Sequence, residues 1–132
     1  MTYLLDTHIF LWTLFQPKKL TPEAIDIIKK PENSIYISTI TFWEISLKYS
    51  LKKLELEGVL PENMPQFAVK MNYFTLAFSA EDAATYYQLP RHSHKDPFDR
   101  MIIWQAIRNK MVLISKDRKM PEYKKHGLSL LA

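Results

Sequence analysis

Asp6, Glu44, Asp99 and Asp117 stand at four distant points of the chain, and the residues around each place it where a strand would hand over to a helix or a turn. Asp6 directly follows the apolar run Tyr3-Leu4-Leu5, and Glu44 lies in the first turns after Ser34-Ile35-Tyr36-Ile37. Asp99 sits in the first turn of a helix opened by Asp96-Pro97, and Asp117 follows Met111 to Ser115. In a sheet of parallel strands, sites form outside the carboxyl ends of the strands. Four carboxylates crowded there repel one another by several kcal/mol at an effective dielectric near 20, so they require protons or bound cations. All-oxygen ligation favours Mg2+ or Mn2+. Such an ion polarises a phosphodiester, raises a nucleophile from water at neutral pH and stabilises the attacking and leaving oxygens.

Each acid also has a purely structural reading. Asp6 is a preferred N-cap residue for the helix behind it. Glu44 closes a Thr41-x-x-Glu44 capping box and precedes Lys48 by four residues. Asp96 before Pro97 reads as an N-cap, Asp99 suits the positive end of a helix dipole, and Asp117 between Lys116 and Arg118 suits a solvated turn. What the structural readings leave unexplained is the coincidence of all four on one rim.

The elements that must position these acids follow from punctuation and periodicity. Tyr3 to Leu5 is a buried strand and Thr7 to Phe15 an apolar helix ending ahead of Pro17. Thr21-Pro22-Glu23 opens a helix to Lys30, and Ser34 to Ile37 is the second strand. Apolar positions 40, 43, 47, 51 and 54 predict a helix from Ile40 to about Leu54. A looser stretch to Pro65 leads to a helix ending at Met71 and a third strand from Tyr73 to Ala77. Ser79-Ala80-Glu81-Asp82 is a capping box, the helix from Asp96-Pro97 runs to about Asn109, and Met111 to Ser115 and Leu128 to Leu131 are further strands. Alternating strands and helices predict an α/β fold with a mainly parallel sheet covered on both faces.

The 132 residues suit a single domain over 1–132, and 47% hydrophobic content supplies one core. With no cysteine there is neither a disulfide framework nor a thiolate zinc site. Two glycines, Gly58 and Gly127, exclude a P-loop and a dinucleotide-binding turn. The start of the chain is a poor signal peptide and no run of about 18 apolar residues occurs, so a cytoplasmic protein without a membrane span is expected. The net charge of +4 includes the four acids, so the remainder is distinctly basic and suited to nucleic acid. Arg91, Lys95, Arg100, Lys116 and Arg118 flank the acids as candidate phosphate contacts, and Thr7 bonds either a metal-bound water or the helix end. His92 and His94 at i, i+2 lack a third soft ligand. Phe10, Trp12, Phe15, Phe42 and Trp43 read mostly as core by spacing.

At these residues the sequence resembles the PIN-domain ribonucleases, and within them the VapC-like toxins of toxin–antitoxin pairs, over nearly the whole chain. Leu4-Leu5-Asp6-Thr7-His8 resembles the family's opening strand and first metal-binding acid, and Phe42-Trp43-Glu44-Ile45-Ser46-Leu47-Lys48 its second acidic motif. His94-Lys95-Asp96-Pro97-Phe98-Asp99-Arg100-Met101-Ile102-Ile103 resembles a signature of one toxin subgroup, and Leu113-Ile114-Ser115-Lys116-Asp117 the last acidic motif. By that pattern Asp99 matches the third metal-site acid better than Asp96. Leu51-Lys52-Lys53-Leu54 departs from it, since relatives often carry Gly before the Lys.

The resemblance implies a three-layer α/β/α sandwich with a sheet of four to five strands. It also implies magnesium-dependent RNA cleavage leaving a 5′-phosphate, homodimerisation, and inhibition by a small antitoxin encoded alongside. Asp6, Glu44, Asp99 and Asp117 are then both metal-holding and catalytic, with Thr7, Arg100, Lys116 and Arg118 towards the RNA. Two rival readings remain: a PIN-like module that grips RNA or protein without cutting, and an aspartyl-phosphate phosphatase, which would need a second Asp where His8 stands.

Overall fold

Short apolar strands alternate with helices along the chain, and a computed structural model describes residues 1–92 and 94–132 of it. In chain order the elements are β1 (Thr2–Leu5), α1 (Thr7–Phe15), α2 (Pro22–Lys29), β2 (Ser34–Ser38), α3 (Thr39–Ser50) and α4 (Met64–Lys70). β3 (Phe74–Leu76), α5 (Ala80–Thr85), α6 (Pro97–Arg108), β4 (Val112–Ile114) and β5 (Ser129–Leu131) follow, with short 3-10 turns between several of them. The five strands form one sheet in the order β3-β2-β1-β4-β5, every pair parallel. From β1 the chain first builds outward through β2 and β3, then returns to add β4 and β5 on the other side. β1 and β4 therefore flank the point where the strand order reverses, the place in an open α/β sheet where a crevice opens beyond the strand ends.

The strand pleat assigns alternate residues to two cores. On one face Tyr3, Leu5, Ile37 and Ile114 pack against Ile9 and Phe10 of α1, Ala24 of α2, Ile45 of α3 and Met64 and Ala68 of α4. Leu4 and Leu113 face the other way, onto Ile102, Ile103 and Trp104 of α6, with Met120 and Tyr123 closing that side. Both faces are covered, giving the expected three layers. No helix among the described residues is long and apolar enough to cross a membrane.

Two expectations about α3 are corrected. Ser38, not Thr41, caps it: the Ile40 N–H donates to Ser38 Oγ at 3.0 Å, while the Ser38 hydroxyl also bonds Gln105 of α6. The helix thus begins earlier, and there is no Thr41–Glu44 capping box. It also ends at Ser50 rather than near Leu54, because Lys52 is left-handed with φ 59° and the Lys53 N–H returns to the Lys48 carbonyl at 2.9 Å. The same ending, with a residue other than glycine in the left-handed position, closes α4 at Asn72 (φ 62°) and α6 at Lys110 (φ 53°). Lys52 lies within the Leu51-Lys52-Lys53-Leu54 stretch noted in the sequence, and its left-handed backbone is one that favours glycine. Trp43, read as core by its spacing, is 55% exposed and meets Phe98 edge-on at 5.1 Å.

Candidate metal centre

Asp6 is held by two forces that act against each other. Its carboxylate caps α1, accepting the Ile9 N–H at 2.8 Å, yet the residue is buried to 4% exposure at the carboxyl end of β1. Burial pushes its pKa up to about 6, more than the Ser115 hydroxyl and the Ile9 amide pull it down, and the Asp99 charge adds to the rise. The structural reading of Asp6 as the cap of α1 is thus correct, and its burial distinguishes it from an exposed cap.

Glu44 reaches the same rim from the first turns of α3. It is 1% exposed, accepts from Thr7 Oγ1 at 2.6 Å on one carboxylate oxygen, and pairs with Lys48 through the other. Thr7 Oγ1 lies 3.1 Å from the hydroxyl of Thr41, so both threonines are fixed in the wall of the site. Thr7 is buried; Asp6, not Thr7, caps α1, and the Thr7 hydroxyl donates to Glu44 and orients it. Burial of Lys48 disfavours its charge, but the bond and attraction to Glu44 outweigh that and raise its pKa.

Asp96 caps α6, accepting the N–H of Phe98 at 2.9 Å and of Asp99 at 3.4 Å, with Pro97 opening the helix as expected. That cap fixes where Asp99 begins the first turn. On the far side Asp117 is set by a tight turn after β4, its N–H donating to Ser115 Oγ at 3.1 Å and its carboxylate accepting the Lys119 N–H at 2.9 Å. Between them stands His94, whose Nε2 lies 2.9 Å from Asp117 Oδ2 and 3.2 Å from Asp99 Oδ2. The bond to Asp99 raises the His94 pKa against the opposing effect of burial. His94 joins the cluster although the sequence argument gave it no third soft ligand. The missed signal was its place two residues before Asp96, in the segment leading to the cap.

Two triads offer ligand atoms within 4.8 Å of one another: Glu44, Asp96 and Asp99, and His94, Asp99 and Asp117. Asp99 belongs to both. Trans ligands of an octahedral Mg2+ stand about 4.2 Å apart, so either triad needs only small side-chain adjustments to grasp an ion. Asp6 joins neither triad but lines a cavity with Asp117, His8, Trp12 and Lys116, next to the cleft bordered by His94, Asp96, Asp99 and Asp117. The four predicted acids therefore share one continuous rim, in two overlapping groups with Asp6 behind them. Their repulsion is relieved by Lys48 at Glu44, by His94 between Asp99 and Asp117, and by the proton affinity of Asp6.

The basic residues divide. Lys116 is exposed beside the rim, its ammonium 5.8 Å from the Trp12 ring centre, and Arg118 is exposed after Asp117. Arg100 is corrected. It is 4% exposed, and its guanidinium donates to Tyr86 Oη, Pro90 O, Tyr123 Oη and Leu89 O at 3.0 to 3.1 Å. Position 100 is turned by about 100° around the helix from Asp99, away from the rim and towards Leu89 and Tyr123 of the second core. It organises the loop before the site and cannot meet a phosphate.

The electrostatics of Asp6 carry a prediction. Because its folded pKa of about 6 exceeds the model-peptide value of 3.8, the folded state binds the extra proton between those values. Stability of the metal-free protein is therefore greatest below about pH 4 in this respect, and falls as pH rises through 6 by at most about 3 kcal/mol. Asp6→Asn keeps a capping acceptor and removes the charge. It should be more stable than wild type at pH 8 in chelator and nearly equal at pH 4, by urea unfolding; a variant less stable than wild type at pH 8 contradicts this account.

The PIN domain family model matches residues 3–126, and the chain belongs to that family. It is 26% identical over 123 residues to Ribonuclease VapC22 of Mycobacterium tuberculosis, covering 93% of this chain and 92% of that protein. Its fold is similar to that of a chain of VapBC2 from Rickettsia felis, solved bound to a promoter DNA fragment, with TM-score 0.71, 20% identity, and 99% and 98% of the two chains covered. A chain of DNA-bound VapBC from Salmonella typhimurium matches with TM-score 0.65, 18% identity, and 99% and 97% covered.

Proposed function

We propose that this protein is a metal-dependent endoribonuclease and the toxin of a toxin–antitoxin pair. The observation that carries the reading is the acidic rim at the β1/β4 switch point, where Asp99 is shared by two triads of ligand atoms. Asp6, Glu44, Asp99 and Asp117 are the residues that would hold Mg2+ or Mn2+. Their hard oxygen donors fit such an ion, and the close approach of Asp99 to Glu44 and to Asp117 gives it a reason to bind. A bound ion supplies Lewis-acid polarisation of the phosphodiester and charge stabilisation for in-line attack by water.

The protein's own groups do the rest. Thr7 fixes one oxygen of Glu44, Lys48 neutralises the other, and the Asp96 cap sets the first turn of α6 so that Asp99 faces the rim. Lys116, Arg118 and Lys119 are exposed beside the acids and provide cationic contacts for RNA phosphates. The named ribonuclease relative supports RNA as the substrate, and the VapBC assemblies of the structural neighbours support an antitoxin as partner.

The test is incubation of the purified protein with end-labelled single-stranded RNA. Internal cleavage in Mg2+ or Mn2+, stopped by EDTA and restored by excess metal, is expected. Cleavage indifferent to chelator, or RNA binding with no cleavage in any divalent ion, overturns the proposal; the latter result would identify a non-catalytic binding module.

A further inference from the structure

We propose that His94 is itself a metal ligand, so that the ion at Asp99 and Asp117 is held by a mixed nitrogen and oxygen set that takes Mn2+ ahead of Mg2+. This rests on the metal-dependent reading above and goes beyond its four carboxylates. The imidazole is 5% exposed, and its ring packs against Tyr123 with centroids 6.1 Å apart. Nδ1 is buried with no hydrogen-bond partner among the described residues, so the polar contacts that justify burying this ring are all at Nε2.

Two carboxylate oxygens converge on that one nitrogen, at 2.9 and 3.2 Å. Neighbouring ligands in an octahedral shell with bonds near 2.1 Å stand about 3.0 Å apart, so Nε2 already has the spacing of a ligand cis to both oxygens. A single N–H can be directed well at only one of the two oxygens, whereas an ion among the three atoms satisfies all of them. Imidazole binds first-row transition ions well and Mg2+ poorly, which sets the preference. Tyr123 is in turn held by Arg100 at 3.1 Å, so the ring is backed by a fixed wall.

The experiment uses the full chain with Mn2+ as the probe. Electron spin-echo envelope modulation reads a directly bound nitrogen independently of catalysis. Wild type should show 14N coupling that is lost in His94→Gln and kept in His8→Gln, whose exposed ring lies outside both triads. In calorimetry His94→Gln should weaken Mn2+ binding at least about tenfold and Mg2+ binding less than about threefold. Near-UV circular dichroism establishes that the variant is folded, and the wild-type spectrum is decisive without it. Tight Mn2+ binding with no nitrogen coupling, or coupling that survives in His94→Gln, overturns the assignment and leaves the carboxylate reading intact. Absence of Mn2+ binding to wild type overturns both.

Discussion

Asp99→Asn is expected to lower the rate of RNA cleavage at least about a thousandfold, equivalent to roughly 4 kcal/mol of transition-state stabilisation, while leaving the fold in place. Among the acids, Asp99 alone belongs to both triads. Replacing its charged oxygen by an amide removes a ligand from whichever arrangement binds the ion. The structural cost is small by comparison: an acid in a helix first turn contributes about 0.3–1 kcal/mol, and the Asp96 cap that starts α6 is untouched. Single-turnover cleavage rates with thermal melts of both proteins check this. A folded Asp99→Asn protein that cleaves within tenfold of wild type would remove Asp99 from the chemistry.

Arg100→Ala is expected to cost about 3–5 kcal/mol of stability, a large fraction of what a domain of this size possesses. The side chain is enclosed in the second core and has no carboxylate partner among the described residues; two carbonyls and two phenol oxygens satisfy it. Truncation leaves the Leu89 and Pro90 carbonyls without their donor and opens a void beside Tyr123. Arg100→Lys should recover only part of the loss, since an ammonium cannot reproduce the fork of donors. Urea unfolding measures both variants. An Arg100→Ala protein of wild-type stability but weakened RNA binding would restore the phosphate-contact role that the sequence suggested.

The opposite outcomes at positions 99 and 100 illustrate what was legible. Local chemistry carried far: Asp6 before Thr7 predicted a cap and a helix that the structure reproduces from Thr7 to Phe15, and Asp96-Pro97 predicted the start of α6. The parallel sheet followed from alternation, but its order, which puts β1 beside β4 and Asp6 near Asp117, depends on long-range pairing with no local signal. Helix ends were misplaced where the local cue was misleading. Lys52 takes a left-handed backbone without being glycine, and Ser38, rather than the better-patterned Thr41, caps α3. His94 and Arg100 were misjudged for one reason: which neighbours a polar side chain meets is decided by segments far away in sequence. Asp99 and Asp117 convert a lone histidine into a cluster member, and Tyr86, Leu89, Pro90 and Tyr123 turn a charge expected at the surface into a buried strut.

The central claim, that the acids of the β1/β4 switch point grasp a divalent ion, is tested most directly by locating that ion. Crystals of the full chain grown with Mn2+ and measured at the manganese absorption edge should show an anomalous peak within bonding distance of Asp99, shared with Asp117 or Glu44. Density for manganese elsewhere, with these carboxylates bound only to His94 and Lys48, would contradict it.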